Sequence, residues 1–165
     1  MDFPLNSIIR INLAWVESLT EAKRVIDCLI NKDIFLDFPL NRNKYPIPKL
    51  SLLESIELAN KCSNIKYFAF SNAEDPNIVE IIRKLLNINI ILVPKIETIK
   101  GVKILSEIIN KAKTNIIMMD KEDIFTDVEG NNEDFVNTIE EIRKYGNQNN
   151  IKILELQGVI FSERS

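Results

Sequence analysis

Short apolar runs that alternate with amphipathic segments of helical period constrain the fold of this chain more than any other feature. Six runs rich in β-branched residues occur at 7–13, 33–37, 65–71, 88–95, 115–119 and 151–156. They are continuously apolar rather than alternating, which is typical of strands that are buried on both faces of a parallel sheet. The pattern therefore predicts an α/β fold built from parallel βα repeats.

The amphipathic segments also carry start and stop signals. Ser51 and Glu54 have the spacing of a capping box, in which two side chains satisfy backbone N–H groups at a helix start. Pro76 is expected to open a third helix, and Gly146 is expected to end the fifth as the residue after its C-cap. The polar segment 124–134 is interpreted as a solvated loop.

Chain length limits how many βα units can form. The predicted strands start every 23 to 36 residues along the 165-residue chain, which gives about six units, whereas a complete eight-unit barrel typically needs about 250 residues. We expect a single domain over residues 1–165, folded as a partial or modified TIM barrel. An open sheet leaves unpaired edges, and these predict a homodimer or a partner chain.

Composition excludes several classes of partner. The net charge is -3 and no basic block occurs, so we expect no nucleic-acid or membrane binding. No apolar run approaches the roughly 20 residues that span a bilayer, and the first residues do not resemble a signal peptide. Cys28 and Cys62 fall in predicted helices without a CxxC partner, which indicates buried free thiols and a cytoplasmic protein.

The sequence contains no histidine, so Ser-His-Asp and Cys-His catalysis and histidine-based zinc sites are excluded. None of the four glycines lies in a GxGxxG or GxxxxGK[ST] setting, which makes a phosphate-cradling loop improbable. Carboxylates, lysines, arginines and hydroxyls remain. These groups suit a hard cation such as Mg²⁺, which prefers oxygen ligands.

The most informative segment runs from Val93 to Val102. Lys95 and Glu97 lie at the end of the fourth predicted strand and share a face, and Asp123 follows the fifth strand. Two carboxylates from neighbouring strand ends can hold one cation, and an adjacent ammonium can hold an anionic substrate oxygen. Charged side chains at strand ends are also commonly just solvated, and spacing alone leaves both interpretations open.

This segment resembles one that pyruvate kinases carry, Lys-Ile-Glu-Asn/Thr-x-x-Gly-Val-x-x-x-x-Glu-Ile. Lys95-Ile96-Glu97-Thr98, Gly101-Val102 and Glu107-Ile108 match it in register. Arg10-Ile11-Asn12-Leu13 is similar to the family's Arg-Leu-Asn-Phe, and Leu36-Asp37 to its Leu-Asp. The resemblance runs in collinear order from about residue 8 to 162. It implies a pyruvate kinase barrel domain, in the phosphoenolpyruvate/pyruvate-binding superfamily, without the lid and C-terminal domains.

The resemblance also implies roles for a catalytic pair, Lys95 and Arg10, and for four cation ligands, Glu97, Asp123, Asn12 and Asp37. Glu97 and Asp123 would hold Mg²⁺ or Mn²⁺, and Lys95 would stabilise an enolate or transferring phosphoryl oxygens. Arg10 would contact phosphate, and the remaining two ligands would form a site for a monovalent cation such as K⁺. The substrate would be phosphoenolpyruvate, pyruvate or a related 2-oxo acid.

The sequence departs from the family at functional positions. Ala14-Trp15 replaces a Ser-His pair, and Lys121-Glu122 replaces Arg-Gly, where a glutamate would repel a bound carboxylate. Ile96-Glu97-Thr98 together with Asp123-Ile124 also resembles HpcH/HpaI aldolases and citrate lyase β subunits of the same superfamily. Three hypotheses stay open: a pyruvate kinase-like enzyme, an aldolase or lyase that enolises a 2-oxo acid, and a degenerate homologue that binds or regulates.

Overall fold

The computed structural model describes residues 7–42 and 45–155, which form a parallel sheet flanked by helices. The strands are β1 (Ile8–Asn12), β2 (Asp33–Phe38), β3 (Ile65–Phe70), β4 (Ile91–Ile96), β5 (Ile116–Met119) and β6 (Lys152–Glu155). The α-helices are α1 (Leu19–Cys28), α2 (Leu52–Lys61), α3 (Pro76–Leu85), α4 (Ile99–Lys103), α5 (Leu105–Ala112), α6 (Lys121–Asp127) and α7 (Asn132–Asn149). A short 3-10 turn, Leu13–Trp15, follows β1.

The strands lie side by side in chain order, and each is parallel to its neighbours. The sheet curls into a half-barrel whose carboxyl ends all lie at one edge. The predicted α/β class and the partial TIM barrel are therefore confirmed. Strands β1 and β6 form the two edges of the sheet within the described residues. The homodimer or partner chain expected to cover them stays a prediction.

The two faces of the sheet have different surroundings. The face toward the helices belongs to the main core, in which Leu36 and Phe68 are completely buried. The inner, concave face carries a smaller apolar cluster of Phe35, Ala69, Val93 and Met118. Because side chains alternate along a strand, the residues two positions beyond this cluster point to the same face. None of the described helices is both long and apolar enough to cross a bilayer.

Several expected features differ in the structure. Strand β4 begins at Ile91 rather than at 88, because residues 88–90 form a turn in which Ile88 is 81% exposed. The segment 124–134, expected to be a loop, contains the end of α6 and the start of α7. Cys28 is exposed rather than buried, and Cys62 is half-buried; both are free thiols. The predicted continuation of β6 to residue 156 lies outside the described residues.

Gly146 does not end its helix, as the sequence suggested. Helix α7 continues to Asn149, and Asn150 takes the left-handed conformation (φ 55°) that ends it. Gly146 instead lies where α7 packs on β6, and a Cβ atom there would lie 2.6 Å from Cδ1 of Ile153. A close approach of helix and strand, rather than a turn, requires this glycine.

We expect Gly146→Ala to lower the free energy of unfolding by about 1 to 2 kcal/mol, because its methyl group overlaps Ile153 more than the helix gains from alanine. In an Ile153→Val background, which lacks Cδ1, the same change should be clearly less destabilising, although the carbonyl oxygen of Ile151 still lies 3.2 Å from the added Cβ. Urea unfolding of the four proteins measures the difference. An equal effect of Gly146→Ala in both backgrounds would show that this contact does not matter.

Glu80 should make stability depend on pH, because its carboxylate joins α3 to α5 through Lys111 (2.7 Å) and pairs with Lys84 of its own helix (2.9 Å). Hydrogen bonds and charge from Lys111 and Lys84 lower the pKa of Glu80 from 4.5 to about 2. These ion pairs therefore stabilise the fold above pH 4.5 and are lost as the pH falls toward 2. We expect wild type to be more stable than Glu80→Gln near neutral pH, with a difference that shrinks toward about pH 2. A difference independent of pH would contradict this role.

Candidate metal centre and active site

The carboxyl ends of β1, β2 and β4 bring four charged side chains together on the inner face. Arg10 lies beside Phe35 in the parallel register, and Asp37 lies two residues further along β2. Lys95 and Glu97 follow Val93 at spacings of two, so they continue the face that carries the inner apolar cluster. The order of the strands thus gathers residues that are distant in sequence.

Lys95 lies at the centre of this group and is only 5% exposed. Its Nζ atom lies 2.7 Å from Oε1 of Glu97 and 3.9 Å from Oδ2 of Asp37. It also donates a hydrogen bond of 3.2 Å to Oγ of Ser71 at the end of β3. A buried ammonium is tolerated when it is paired in this way, since an unpaired buried charge is strongly unfavourable.

Arg10 extends the network toward solvent. Its Nε atom donates a 2.9 Å hydrogen bond to Oδ2 of Asp37, and Nη2 contacts the same oxygen. The Arg10 side chain is 35% exposed, whereas that of Asp37 is 2% exposed. Charges therefore alternate in sign from Arg10 through Asp37 and Lys95 to Glu97, and the arginine is the member of this series that solvent and ligands reach most easily.

Burial and neighbouring charge act in opposite directions on the two central groups. Burial alone would lower the pKa of Lys95, but Asp37 and Glu97 more than compensate and raise it. Burial raises the pKa of Glu97, although Lys95 and the backbone N–H of Asn72 favour its ionised form. Lys95 therefore stays protonated at neutral pH and can act as a fixed cation or a proton donor rather than as a base.

Three acids form a cluster beside Lys95. One carboxylate oxygen from each of Glu97, Asp120 and Asp123 lies within 4.8 Å of the others. Glu97 directly follows β4, Asp120 directly follows β5, and Asp123 lies in the first turn of α6. Glu97 and Asp123, which the sequence grouped as candidate metal ligands, therefore lie close together at the ends of neighbouring strands.

Glu97 fits the role of a cation ligand. It is 4% exposed, Oε2 accepts a 2.7 Å hydrogen bond from the N–H of Asn72, and Oε1 is fully buried with the ammonium of Lys95 2.7 Å away. Each carboxylate oxygen has two lone pairs, so pairing with Lys95 leaves Oε1 able to accept a cation as well. Oxygen donors of this kind suit Mg²⁺ or Mn²⁺.

The predicted monovalent-cation ligands are adjacent in the sheet. Asn12 and Asp37 are register partners on β1 and β2. The side chain of Asn12 caps the following 3-10 turn by accepting a 2.9 Å hydrogen bond from the N–H of Ala14. Oδ1 of Asp37 is buried without a hydrogen-bond partner in the described part of the chain. A K⁺ site at these two residues stays a prediction.

Three residues of the site were not identified from the sequence: Ser71, Asn72 and Asp120. Asp120 could have been found, because it is the first residue after β5 and strand ends carry function in this fold. Asn72 takes a left-handed conformation (φ 51°) and donates its N–H to Glu97, a contact that no sequence pattern indicates. Ser71 lacked a signal because single serines at strand ends are common.

Part of the Lys-Ile-Glu-Thr segment is structural. Thr98 caps α4, with its hydroxyl oxygen accepting a 3.1 Å hydrogen bond from the N–H of Gly101 and its O–H donating to Glu74 at 2.8 Å. A Cβ atom at Gly101 would lie 3.1 Å from the carbonyl oxygen of Ala73, so a side chain would crowd the chain after β3. The threonine and glycine therefore position the strand end that carries Lys95 and Glu97.

A cleft of about 390 Å³ opens beside the acid cluster. Glu97 and Asp123 line it, together with Asn72 and Arg42 from the loops after β3 and β2. A second cleft, of about 470 Å³, lies around Arg83, but this arginine donates hydrogen bonds to three backbone carbonyls and has a structural role. Of these two clefts, the one at the strand ends contains the candidate metal ligands.

No family model matches this sequence, and no significant match was found among curated proteins. Solved structures do share its fold. The citrate synthase SbnG aligns with a TM-score of 0.66 at 11% identity, over 94% of this chain and 69% of that one. A Glu-to-Gln variant of SbnG gives a TM-score of 0.69 at 12% identity, over 92% of this chain and 67% of that one.

A third solved structure is an HpcH/HpaI aldolase/citrate lyase family protein from Burkholderia cenocepacia J2315, with a TM-score of 0.61 at 8% identity. The alignment covers 93% of this chain and 80% of that one. This chain therefore has the fold of these three structures. At such identities the likeness establishes the fold alone, so the activity has to be argued from the site.

Replacing Lys95 should be far more harmful than replacing an exposed lysine of the same region. We expect Lys95→Met to lower the free energy of unfolding by about 3 to 5 kcal/mol, because it leaves a buried carboxylate without its ammonium. Lys100, whose side chain is 68% exposed and pairs with Glu74, is the matched control, and Lys100→Met should cost at most about 1 kcal/mol. Urea unfolding at neutral pH measures both, and similar losses would contradict a buried ion-pair network.

Proposed function

We propose that this protein is a divalent-metal-dependent lyase or aldolase that enolises a 2-oxo acid such as pyruvate. The observation that carries the proposal is the buried carboxylate of Glu97, which clusters with Asp120 and Asp123 beside the buried ammonium of Lys95. Glu97 and Asp123 would hold Mg²⁺ or Mn²⁺. When bound, a cation of this kind polarises the keto group and stabilises negative charge on its oxygen.

The remaining charged residues have complementary roles in this proposal. Lys95 is a fixed positive charge in a site that excludes much of the solvent, where it stabilises an enolate more than it would in water. Arg10 bonds Asp37 through Nε and Nη2, and among the described residues Nη1 has no hydrogen-bond partner. This nitrogen can bind a substrate carboxylate, which orients the 2-oxo acid at the strand ends.

The structural likenesses favour the lyase or aldolase hypothesis over the pyruvate kinase-like one. Two of the three solved structures described above are of a citrate synthase, and the third is of the aldolase/citrate lyase family. The sequence resemblances to pyruvate kinases and to HpcH/HpaI aldolases both imply Glu97 and Asp123 as the metal ligands. The two families differ in phosphoryl transfer, which needs a nucleotide site and water exclusion. Pyruvate kinases have a lid domain for this, whereas this sequence has only residues 38–49 at the corresponding place.

One observation favours a degenerate homologue instead. Asp120 accepts hydrogen bonds from the N–H groups of Glu122 (3.2 Å) and Asp123 (3.4 Å). The resemblance to pyruvate kinases implies a substrate carboxylate near the backbone here, and in this chain the aspartate already uses these N–H groups. A protein that binds the metal without turning over a 2-oxo acid is therefore the second candidate.

Exchange of pyruvate methyl protons in D₂O with Mg²⁺, followed by proton NMR, tests the proposed activity. We expect wild type to exchange faster than buffer with Mg²⁺ alone, and Glu97→Gln and Asp123→Asn to lose at least about 100-fold of that rate, since each removes a metal ligand. Mn²⁺ titration by electron paramagnetic resonance should show binding weakened by about tenfold or more in both variants. Asp75→Asn, which changes an acid outside the cluster and keeps the cap of α3, should leave binding and exchange unchanged.

The two measurements separate the candidates. Metal binding that requires Glu97, without exchange above buffer, would replace the proposed activity with the degenerate homologue. If wild type binds no metal, both candidate functions are excluded. Formation of pyruvate from phosphoenolpyruvate and ADP would instead support the pyruvate kinase-like hypothesis.

A further inference from the structure

The acid cluster contains one carboxylate more than the Glu97 and Asp123 pair requires. Asp120 is held in place by its backbone, since its N–H donates to the carbonyl of Ile96 at the end of β4 (3.4 Å). Its side chain caps α6 by accepting from the N–H groups of Glu122 and Asp123. The position of this third acid therefore follows from the ends of two strands and the start of one helix.

Capping does not require a negative charge at this position. Neutral Ser51 and Asn131 cap α2 and α7 in this chain, whereas α3 has an aspartate cap, Asp75. At Asp120 the charge lies within 4.8 Å of two other carboxylates, where like charges repel. A cation between the three acids would turn this repulsion into attraction.

The buried carboxylate of Glu97 also has capacity for a further partner. Glu97 is 4% exposed and its Oε1 pairs with Lys95 at 2.7 Å, which leaves a second lone pair of this buried oxygen without a hydrogen-bond partner in the described part of the chain. A carboxylate also has two oxygens, so Asp120 can keep its cap through Oδ1 and use Oδ2 elsewhere. The cap and a metal bond are therefore compatible.

We propose that Asp120 is a third protein ligand of the divalent cation at Glu97 and Asp123. The inference rests on the proposed metal site and extends it. Three carboxylates bind Mg²⁺ or Mn²⁺ more tightly than two and leave about half of an octahedral shell for water and substrate oxygens. A 2-oxo acid, which offers a keto oxygen and a carboxylate oxygen, fits the positions that remain.

Mn²⁺ alone is the probe for this inference, and electron paramagnetic resonance of free Mn²⁺ gives the dissociation constant. Asp120→Asn keeps the cap and removes the charged ligand, so we expect the dissociation constant to rise about tenfold or more while the melting temperature without metal stays that of wild type. The proton relaxation rate of water should rise per bound Mn²⁺, because water replaces the lost carboxylate. If the asparagine variant melts early, Asp120→Ser, another good cap, provides the same test.

Two controls separate a ligand from a nearby charge or a cap. Glu122→Gln removes an exposed charge two residues away, and Asp75→Asn changes the equivalent aspartate cap of α3. Both should change Mn²⁺ affinity by less than about threefold, since neither residue touches the cation. If Asp120→Asn binds Mn²⁺ like these controls while Glu97→Gln does not, Asp120 is not a ligand and the proposed metal site still stands. If wild type does not bind Mn²⁺, both the proposed metal site and the role of Asp120 as a ligand are wrong.

Discussion

The buried ammonium of Lys95, placed between the carboxylates of Asp37 and Glu97, is the interaction on which the rest of the site depends. It requires that β2 and β4 lie two strands apart with a fixed register, because a shift by one residue would turn these side chains toward the helices. The same ammonium allows Glu97 to be buried as an anion, and one of its carboxylate oxygens lies within 4.8 Å of oxygens of Asp120 and Asp123. The ion pairs therefore link the geometry of the sheet to the chemistry at its edge.

The fold could be predicted from the sequence to a large extent, because buried parallel strands leave continuous apolar runs that few other structures produce. All six strands are present, and the pairing of Lys95 with Glu97 follows from the period of a strand. Gly146 was misinterpreted because its sequence position suits a helix end, whereas its contact with Ile153 arises only in three dimensions. The segment after Ile124 was expected to be a loop because its polar composition hides a short helix and the start of a long one.

The candidate site was predictable in part for similar reasons. Acids and amines at strand ends are visible in a sequence, so Lys95, Glu97 and Asp123 could be grouped before the structure was known. The backbone N–H of Asn72, which bonds Glu97, has no sequence signature. In the sequence, Asp120 has the position of an ordinary helix cap. Only its distance to the other two carboxylates in the structure suggests a second role.

A crystal structure with Mn²⁺, with the ion located by its anomalous scattering, tests the proposed metal site most directly. We expect a single strong peak between Glu97, Asp120 and Asp123, with carboxylate oxygens at roughly the 2.0 to 2.2 Å expected for small divalent cations. Lys95 should remain beside Glu97 in that structure. A peak at another location, or no peak at a Mn²⁺ concentration that saturates binding in solution, would contradict a metal site at these three acids.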